Sequence, residues 1–222
     1  MQQKISKKIL LYFFIFIVLT TFNNQSFKKL KYPNIDMIKV TGLSEIDNFR
    51  ISNDLEFLKS YNIFFIDKKK IREVIFSNNL VEDFYTFKKY PKTLDFKVIK
   101  AKFLGKVKKE DQMYYLGSNG KLIKAKKEIQ NIPYIYGNFE FDEFLNFKRD
   151  VDNSNFDYEL IKSLFFLKNK RWNIETHTGI KIKLPMKLSK KKFDQIVLIM
   201  QENYFEKINV IDLRQNNQVI LK

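Results

Sequence analysis

Apolar residues are spread unevenly along this chain. The one strongly apolar run is residues 9–22 (ILLYFFIFIVLTTF), directly behind Lys4, Lys7 and Lys8; beyond it, apolar and polar positions alternate in short blocks. Ile38-Lys39-Val40 has the period of a half-buried strand and stops at Gly42. Ser44 then offers an N-cap, and with Asp47 three residues on it resembles a capping box ahead of Ile51, Leu55 and Leu58 at helical spacing. Asp67 precedes a second helical stripe of Ile71, Val74 and Ile75. Strands are predicted around 81–87 and over 92–100, where Leu94, Phe96 and Val98 alternate with Asp95 and Lys97, and Tyr90-Pro91-Lys92-Thr93 reads as their turn. The resulting order is β-α-α-β-β, which two helices on one face of a small three-stranded sheet would satisfy.

Past Ala101 the pattern becomes strand, turn and strand with interspersed helices. Tyr114-Tyr115-Leu116 and Lys121-Leu122-Ile123 flank Gly117-Ser118-Asn119-Gly120, a hairpin signal because Asn-Gly supplies positive φ. Residues 157–167 read as a short helix with Leu160, Ile161, Leu164 and Phe165 on one side. A second hairpin joins Trp172-Asn173-Ile174-Glu175 to Ile180-Lys181-Ile182-Lys183-Leu184 across Thr178-Gly179. Ser189 opens a helix carrying Phe193, Ile196, Val197, Met200 and Tyr204, and 208–213 and 219–221 give two closing strands. The expected product is a larger antiparallel sheet with helices packed on it.

The apolar run fits a secretory signal peptide or a membrane anchor. Signal peptidase needs small residues in an A-x-A-like arrangement, whereas no Ala precedes Ala101 and Thr20-Thr21-Phe22-Asn23-Asn24 replaces them, so an uncleaved anchor is the preferred reading. Lys4, Lys7 and Lys8 on one side balance Lys28, Lys29 and Lys31 on the other, so charge leaves orientation tied; a short tail and a long body favour the N-terminus inside.

Charge adds little to this picture. The net +16 and pI near 9.7 invite a nucleic-acid reading. The arginines are Arg50, Arg72, Arg149, Arg171 and Arg214 alone, so nearly all the charge is lysine, spread along the chain, which suits bidentate phosphate contact poorly. The chain has no cysteine, excluding disulfides and thiolate metal sites. His177 is its sole histidine, set beside a turn, so no His cluster or Ser-His-Asp set forms within it. The carboxylate pairs Glu82-Asp83, Glu110-Asp111 and Asp142-Glu143 read as solvated. Trp172 in an alternating strand reads as core. No cofactor, metal or small-molecule substrate is expected, and no enzymatic activity.

In order along the chain, a basic tail and one apolar helix precede Ile38-Lys39-Val40-Thr41-Gly42, Asn62-Ile63-Phe64-Phe65-Ile66-Asp67 and Pro91-Lys92-Thr93-Leu94-Asp95-Phe96-Lys97-Val98. Then come Tyr115-Leu116 with Asn119-Gly120, Ile132-Pro133 with Gly137, Arg171-Trp172, Gly179-Ile180-Lys181-Ile182-Lys183-Leu184-Pro185 and Ile211-Asp212-Leu213-Arg214. Over nearly its whole length the chain thus resembles the FtsQ/DivIB family of bitopic bacterial cell-division proteins. It departs from the family at Gly117-Ser118, where an Asp is usual, and at Lys100 and Phe103, where the family has an acidic residue and then proline.

The resemblance implies an α+β protein with a single N-terminal transmembrane helix, a β-α-α-β-β POTRA domain and a mainly antiparallel β domain with packed helices. The divisions are a basic cytoplasmic tail (1–8), the anchor (9–27), the POTRA domain (34–100) and the β domain (101–222). It further implies a non-enzymatic divisome scaffold, single-pass in the inner membrane with its body in the periplasm at the septum. Its partners would be FtsB-like and FtsL-like bitopic proteins and other divisome membrane proteins such as FtsW and FtsK, with no nucleic acid. The implied contact for FtsB is the last strand, Val219, Ile220 and Leu221, with Arg214 and the turn Gln215, Asn216, Asn217 and Gln218 beside it, and Lys170 as a further basic contact. Such a strand offers unpaired N–H and C=O groups to a partner strand. The alternatives are another POTRA-bearing assembly or secretion factor, or a membrane-tethered nucleic-acid binder.

Overall fold

The computed structural model describes residues 7–21, 33–124, 128–201, 208–215 and 218–222. It is a mixed α+β protein. Helix α1 (Lys7–Thr21) carries the apolar run, and its side chains from Ile9 to Leu19 are exposed. No helix among the described residues is long and apolar enough to cross a membrane. Residues 1–6 and 22–32, including Lys4, Lys28, Lys29 and Lys31, lie outside the described residues, as does Tyr204.

The first sheet is built as the alternation predicts. Strand β1 (Met37–Thr41) leads to α2 (Glu45–Asp54), a 3-10 turn (Glu56–Ser60), α3 (Lys68–Phe76), β2 (Val81–Lys89) and β3 (Thr93–Lys100). The three strands lie in the order β1-β3-β2. β1 runs parallel to β3 from Met37↔Thr93 to Thr41↔Lys97, and β2 runs antiparallel to it. Both helix starts are fixed by the predicted caps. The Ser44 Oγ accepts from the Asp47 N–H at 3.2 Å, and the Asp67 carboxylate accepts from the N–H groups of Lys69 (2.9 Å) and Lys70 (3.2 Å). The box at Ser44 differs from the expected one: the Ser44 hydroxyl donates to Asp47 Oδ2 at 2.6 Å. Ile51, Leu55, Leu58, Ile63, Ile71 and Ile75 bury against Val40, Leu94, Phe96 and Val98. Gly42 ends β1 at φ 114°, where an added Cβ would sit 1.9 Å from the Val98 carbonyl oxygen, so only glycine lets the chain turn there.

The second sheet has nine strands: β4 (Phe103–Lys109), β5 (Gln112–Gly117), β6 (Leu122–Lys124), β7 (Tyr134–Tyr136), β8 (Ile161–Phe166), β9 (Trp172–Thr176), β10 (Lys181–Lys183), β11 (Val210–Asp212) and β12 (Ile220–Leu221). Their order is β12-β11-β10-β9-β8-β7-β4-β5-β6. Both hairpins predicted across Asn119-Gly120 and Thr178-Gly179 are present. Two readings are corrected. Residues 157–167 do not form a helix: the chain makes a short 3-10 turn (Tyr158–Leu160) and then strand β8, in which Ile161, Ser163 and Leu164 are buried. The register shift between Ile161 and Ser163 breaks the alternation, and Phe165 stacks on Tyr136 away from the core, so apolar side chains fall on both faces of this strand and its run lacks the period that would mark it. The sheet is also mixed, not antiparallel throughout, because β7 pairs in parallel with β4 and β8, and β10 with β11.

Helices α4 (Phe141–Asp152) and α5 (Lys190–Gln201) cover this sheet, and Trp172 is core, as its strand pattern suggests. Its ring lies 4.7 Å from Phe166, 5.2 Å from Phe147 and 5.6 Å from Phe139, and Phe147 meets Phe193 of α5 edge-on at 5.9 Å.

The two sheets meet at the Asn119 turn. Its carboxamide donates to the carbonyls of Asn79 (2.9 Å) and Val81 (2.8 Å), and Ser118 Oγ donates to the Glu82 carboxylate at 2.5 Å. The Asn79 amide returns a bond to the Leu122 carbonyl at 3.0 Å, and the Lys121 ammonium donates to the Phe76 carbonyl. Ala101 N–H donates to the Leu80 carbonyl at 2.8 Å, so β3 passes into β4 with almost no linker. Replacing Asn119 with Ala leaves two carbonyls without this donor. We expect a loss of about 1–3 kcal/mol in urea unfolding, with faster amide exchange at residues 79–82 than in an Asn119→Gln control retaining the amide.

Candidate partner-binding edge

Strand β12 closes the second sheet. It pairs with β11 through Ile211↔Leu221 and Asp212↔Ile220, and Lys222 exchanges both backbone bonds with Val210 (2.9 and 3.0 Å). In an antiparallel pair, bonded and non-bonded positions alternate. The N–H and C=O groups of Val219 and Leu221 therefore face away from β11, where no strand lies among the described residues. Val219 and Leu221 pack their side chains on the core, while Ile220 is exposed. The strand is held by its side chains and open along its outer edge.

Beside it stands Arg214. Its guanidinium is not free: Nε donates to both Asp212 oxygens (2.8 and 3.0 Å) and one terminal nitrogen to Asp212 Oδ2 at 2.6 Å. Asp-Leu-Arg at the end of a strand sends the first and third side chains to one face, which brings this pair together. The hydrogen bonds from Arg214 hold the Asp212 carboxyl below the usual carboxylate range against the opposing effect of its burial, and Lys183 adds a smaller attraction. The remaining edge of the guanidinium faces a shallow depression of about 550 Å³ lined by Asn169, Arg171, Pro185, Met186, Lys187, Lys192 and Arg214.

Lys170 stands next to that depression but points elsewhere. It occupies the β8–β9 turn at φ 56°, its N–H bonded to the Leu167 carbonyl at 2.9 Å, and its ammonium lies 3.6 Å from Glu143 of α4. Arg171 is the side chain the sequence reading passed over as a contact. Its Nε is buried with no hydrogen-bond acceptor. Lys187 and Lys192 are likewise unannounced in sequence, since they arrive from the segment before α5 and from α5 itself. Gln215 and Gln218 flank the edge, while Asn216 and Asn217 lie outside the described residues. His177 is an exposed turn residue, and among the described residues no group of His, Cys, Asp or Glu is arranged to hold a metal ion.

A mixed sheet ending in an open C-terminal strand, joined to a small β-α-α-β-β layer, defines a class by its second half. Residues 106–214 match the family of the cell division protein FtsQ/DivIB C-terminal domain. Over that second half the chain is similar to the FtsQ/DivIB cell division proteins. It is 29% identical over 143 residues to the cell division protein DivIB of Clostridium botulinum strain Loch Maree / Type A3, a match covering 64% of this chain and 54% of that protein. The same values hold for DivIB of the Hall strain. The chain thus spans about half the length of the curated relatives it matches. Among solved structures it overlaps the major extracytoplasmic domain of DivIB, trans isomer, from Geobacillus stearothermophilus, at 11% identity over 44% of this chain and 87% of that one, with a TM-score of 0.33.

The Asp212–Arg214 pair makes stability depend on pH in one direction. A carboxyl whose folded pKa is depressed contributes fully above its unfolded value of about 3.9, and the contribution is lost as pH falls through the lower folded value. Urea midpoints of the wild type and Asp212→Asn are expected to differ at neutral pH and to converge on acidification below about pH 4.

Proposed function

We propose that this chain is a non-enzymatic scaffold of the cell-division machinery that takes up a strand of an FtsB-like partner along β12. The open outer edge of β12 beside a cationic depression is the observation that carries the reading. Backbone pairing supplies affinity without demanding a sequence, and the charges around Arg214 select an acidic partner segment. Arg171 also lines the depression, and its guanidinium adds to the positive charge there. Arg214 can share its guanidinium between Asp212 and a partner carboxylate, because its side chain is 42% exposed while Asp212 keeps one face of it. Lys170, tied to Glu143, contributes through the turn that holds Arg171.

On this reading residues 34–100 are the POTRA domain and 101–222 the β domain, and FtsL-like, FtsW and FtsK proteins are further partners. Residues 1–8 form the cytoplasmic tail and 9–27 the inner-membrane anchor, with the body in the periplasm at the septum. The described α1 of 15 residues would reach about 22 Å, short of a hydrocarbon core of about 30 Å. The anchor reading runs to residue 27, outside the described helix. Its support is that the aliphatic and aromatic side chains of α1 are exposed among the described residues.

Proline at Val219 removes an outward N–H without breaking a bond to β11, at the start of a strand where proline is tolerated. Titration of a peptide from the extracytoplasmic segment of an FtsB-like partner should show binding weakened about ten-fold or more by Val219→Pro, with the melting temperature unchanged. Arg214→Glu should weaken it too, and the salt dependence should flatten. Undiminished binding by a folded Val219→Pro protein would rule out strand addition at this edge.

A further inference from the structure

The chain enters the first sheet at one end, and that end carries most of the exposed aromatic surface of this layer. Asn34 forms a bridge with Asn62, the Ile35 N–H donates to the Tyr61 carbonyl at 3.0 Å and the Asp36 N–H to the Lys92 carbonyl at 2.9 Å. The residues arriving from α1 are thereby fastened to the 61–65 loop and to the β2–β3 turn. These two segments project Phe64, Phe65 and Tyr90, with Phe64 and Tyr90 stacked at 5.3 Å. Phe65 is 74% exposed and Tyr90 60%. Tyr61, Met37 and Phe87 are exposed around them. The opposite end of the sheet, where β2 begins and β3 ends, is the end docked to the second sheet through Asn119.

Lysines surround this aromatic end. Lys68, Lys69 and Lys70 open α3, and Lys88 and Lys92 flank the β2–β3 turn; none of them makes an ion pair among the described residues. Lys59 and Lys89 are paired with Glu56 and Asp95, and Asp67 is engaged as the cap of α3. A cleft of about 470 Å³ between α3 and β2, lined by Ile66, Lys68, Ile71, Arg72, Phe84, Thr86 and Lys88, lies beside the same end. Exposed rings in a collar of lysines suit the interface of a bilayer: rings sit at headgroup depth, ammonium groups reach acidic headgroups, and aliphatic stems lie on apolar surface.

We propose that this end of the first sheet is a foot that seats in the headgroup layer of an anionic membrane. The foot holds the body upright on the surface instead of leaving it loose at the end of a tether. The inference rests in part on the anchor reading above, through the position at which the chain enters. It fixes which end of the body faces the lipid: β3, of eight residues, would carry the second sheet roughly 26 Å from the headgroups.

The absence of native cysteine permits single labels on the full chain. A nitroxide at Phe65→Cys, and separately at Tyr90→Cys, would be read by power saturation in nanodiscs of phosphatidylglycerol mixed with phosphatidylcholine, and of phosphatidylcholine alone. Leu198→Cys on α5 serves as the aqueous reference and Phe14→Cys reports on α1. We expect oxygen to exceed nickel-chelate accessibility several-fold at 65 and 90 in the anionic discs, with the aqueous pattern of Leu198 in the zwitterionic ones. An aqueous pattern at 65 and 90 in anionic discs overturns the foot. A lipid pattern in both compositions overturns the choice of an anionic surface. A lipid-buried Phe14 label with an aqueous Phe65 label removes the foot and leaves the anchor; an aqueous Phe14 label with a lipid-facing Phe65 label does the reverse.

Discussion

Every strand has backbone donors and acceptors on both sides, and an open sheet must leave two rows of them unpaired. This protein builds two open sheets, so β1, β2, β6 and β12 are edges among the described residues. Much of its architecture is a way of distributing those edges. β6 is kept to three residues, and its hairpin turn docks on the first layer. β2 is long but carries Lys88 and Lys89 at its exposed end, the usual means of discouraging an unwanted strand. β12 is shorter still, two residues followed by Lys222, but unlike the β5–β6 turn its outer side docks on no other element among the described residues. It ends a sheet whose core is otherwise closed around Trp172, and a cationic depression lies beside it.

The elements legible in sequence were those whose signals are local. Ser44 and Asp67 mark helix starts because a side-chain oxygen must meet orphan N–H groups within a few residues. Asn119-Gly120 and Gly179 mark hairpins because positive φ is needed there. Strand β7 carries no such mark: it is three residues long and parallel to both neighbours, so its existence depends on strands distant in sequence. Asp142 and Glu143 read as a solvated acidic pair, yet they form the first turn of α4, where carboxylates meet the positive end of the helix. The spacing of Phe144, Phe147 and Val151 behind them was the available signal for that helix.

The candidate edge was legible in part for the same reason. A closing strand after Asp212-Leu213-Arg214 can be read from alternation. That Arg214 already holds an internal carboxylate cannot be read from a list of charges, because both residues could as well face water. Arg171 was hidden by its neighbour: Trp172 explains itself as core, and the arginine before it gains significance only when the turn at Lys170 brings it beside Arg214.

The parallel pairing of β1 with β3 has a mechanical consequence. The chain enters β1 at one end of the first sheet and leaves β3 at the other, toward the second sheet. A pull applied between the N-terminal segment and the C-terminal strand therefore slides β1 and β3 along each other. The pairs from Met37↔Thr93 to Thr41↔Lys97 must yield together, where a zipper would open them one at a time. Tension carried along the chain would thus meet a clamp in the first layer.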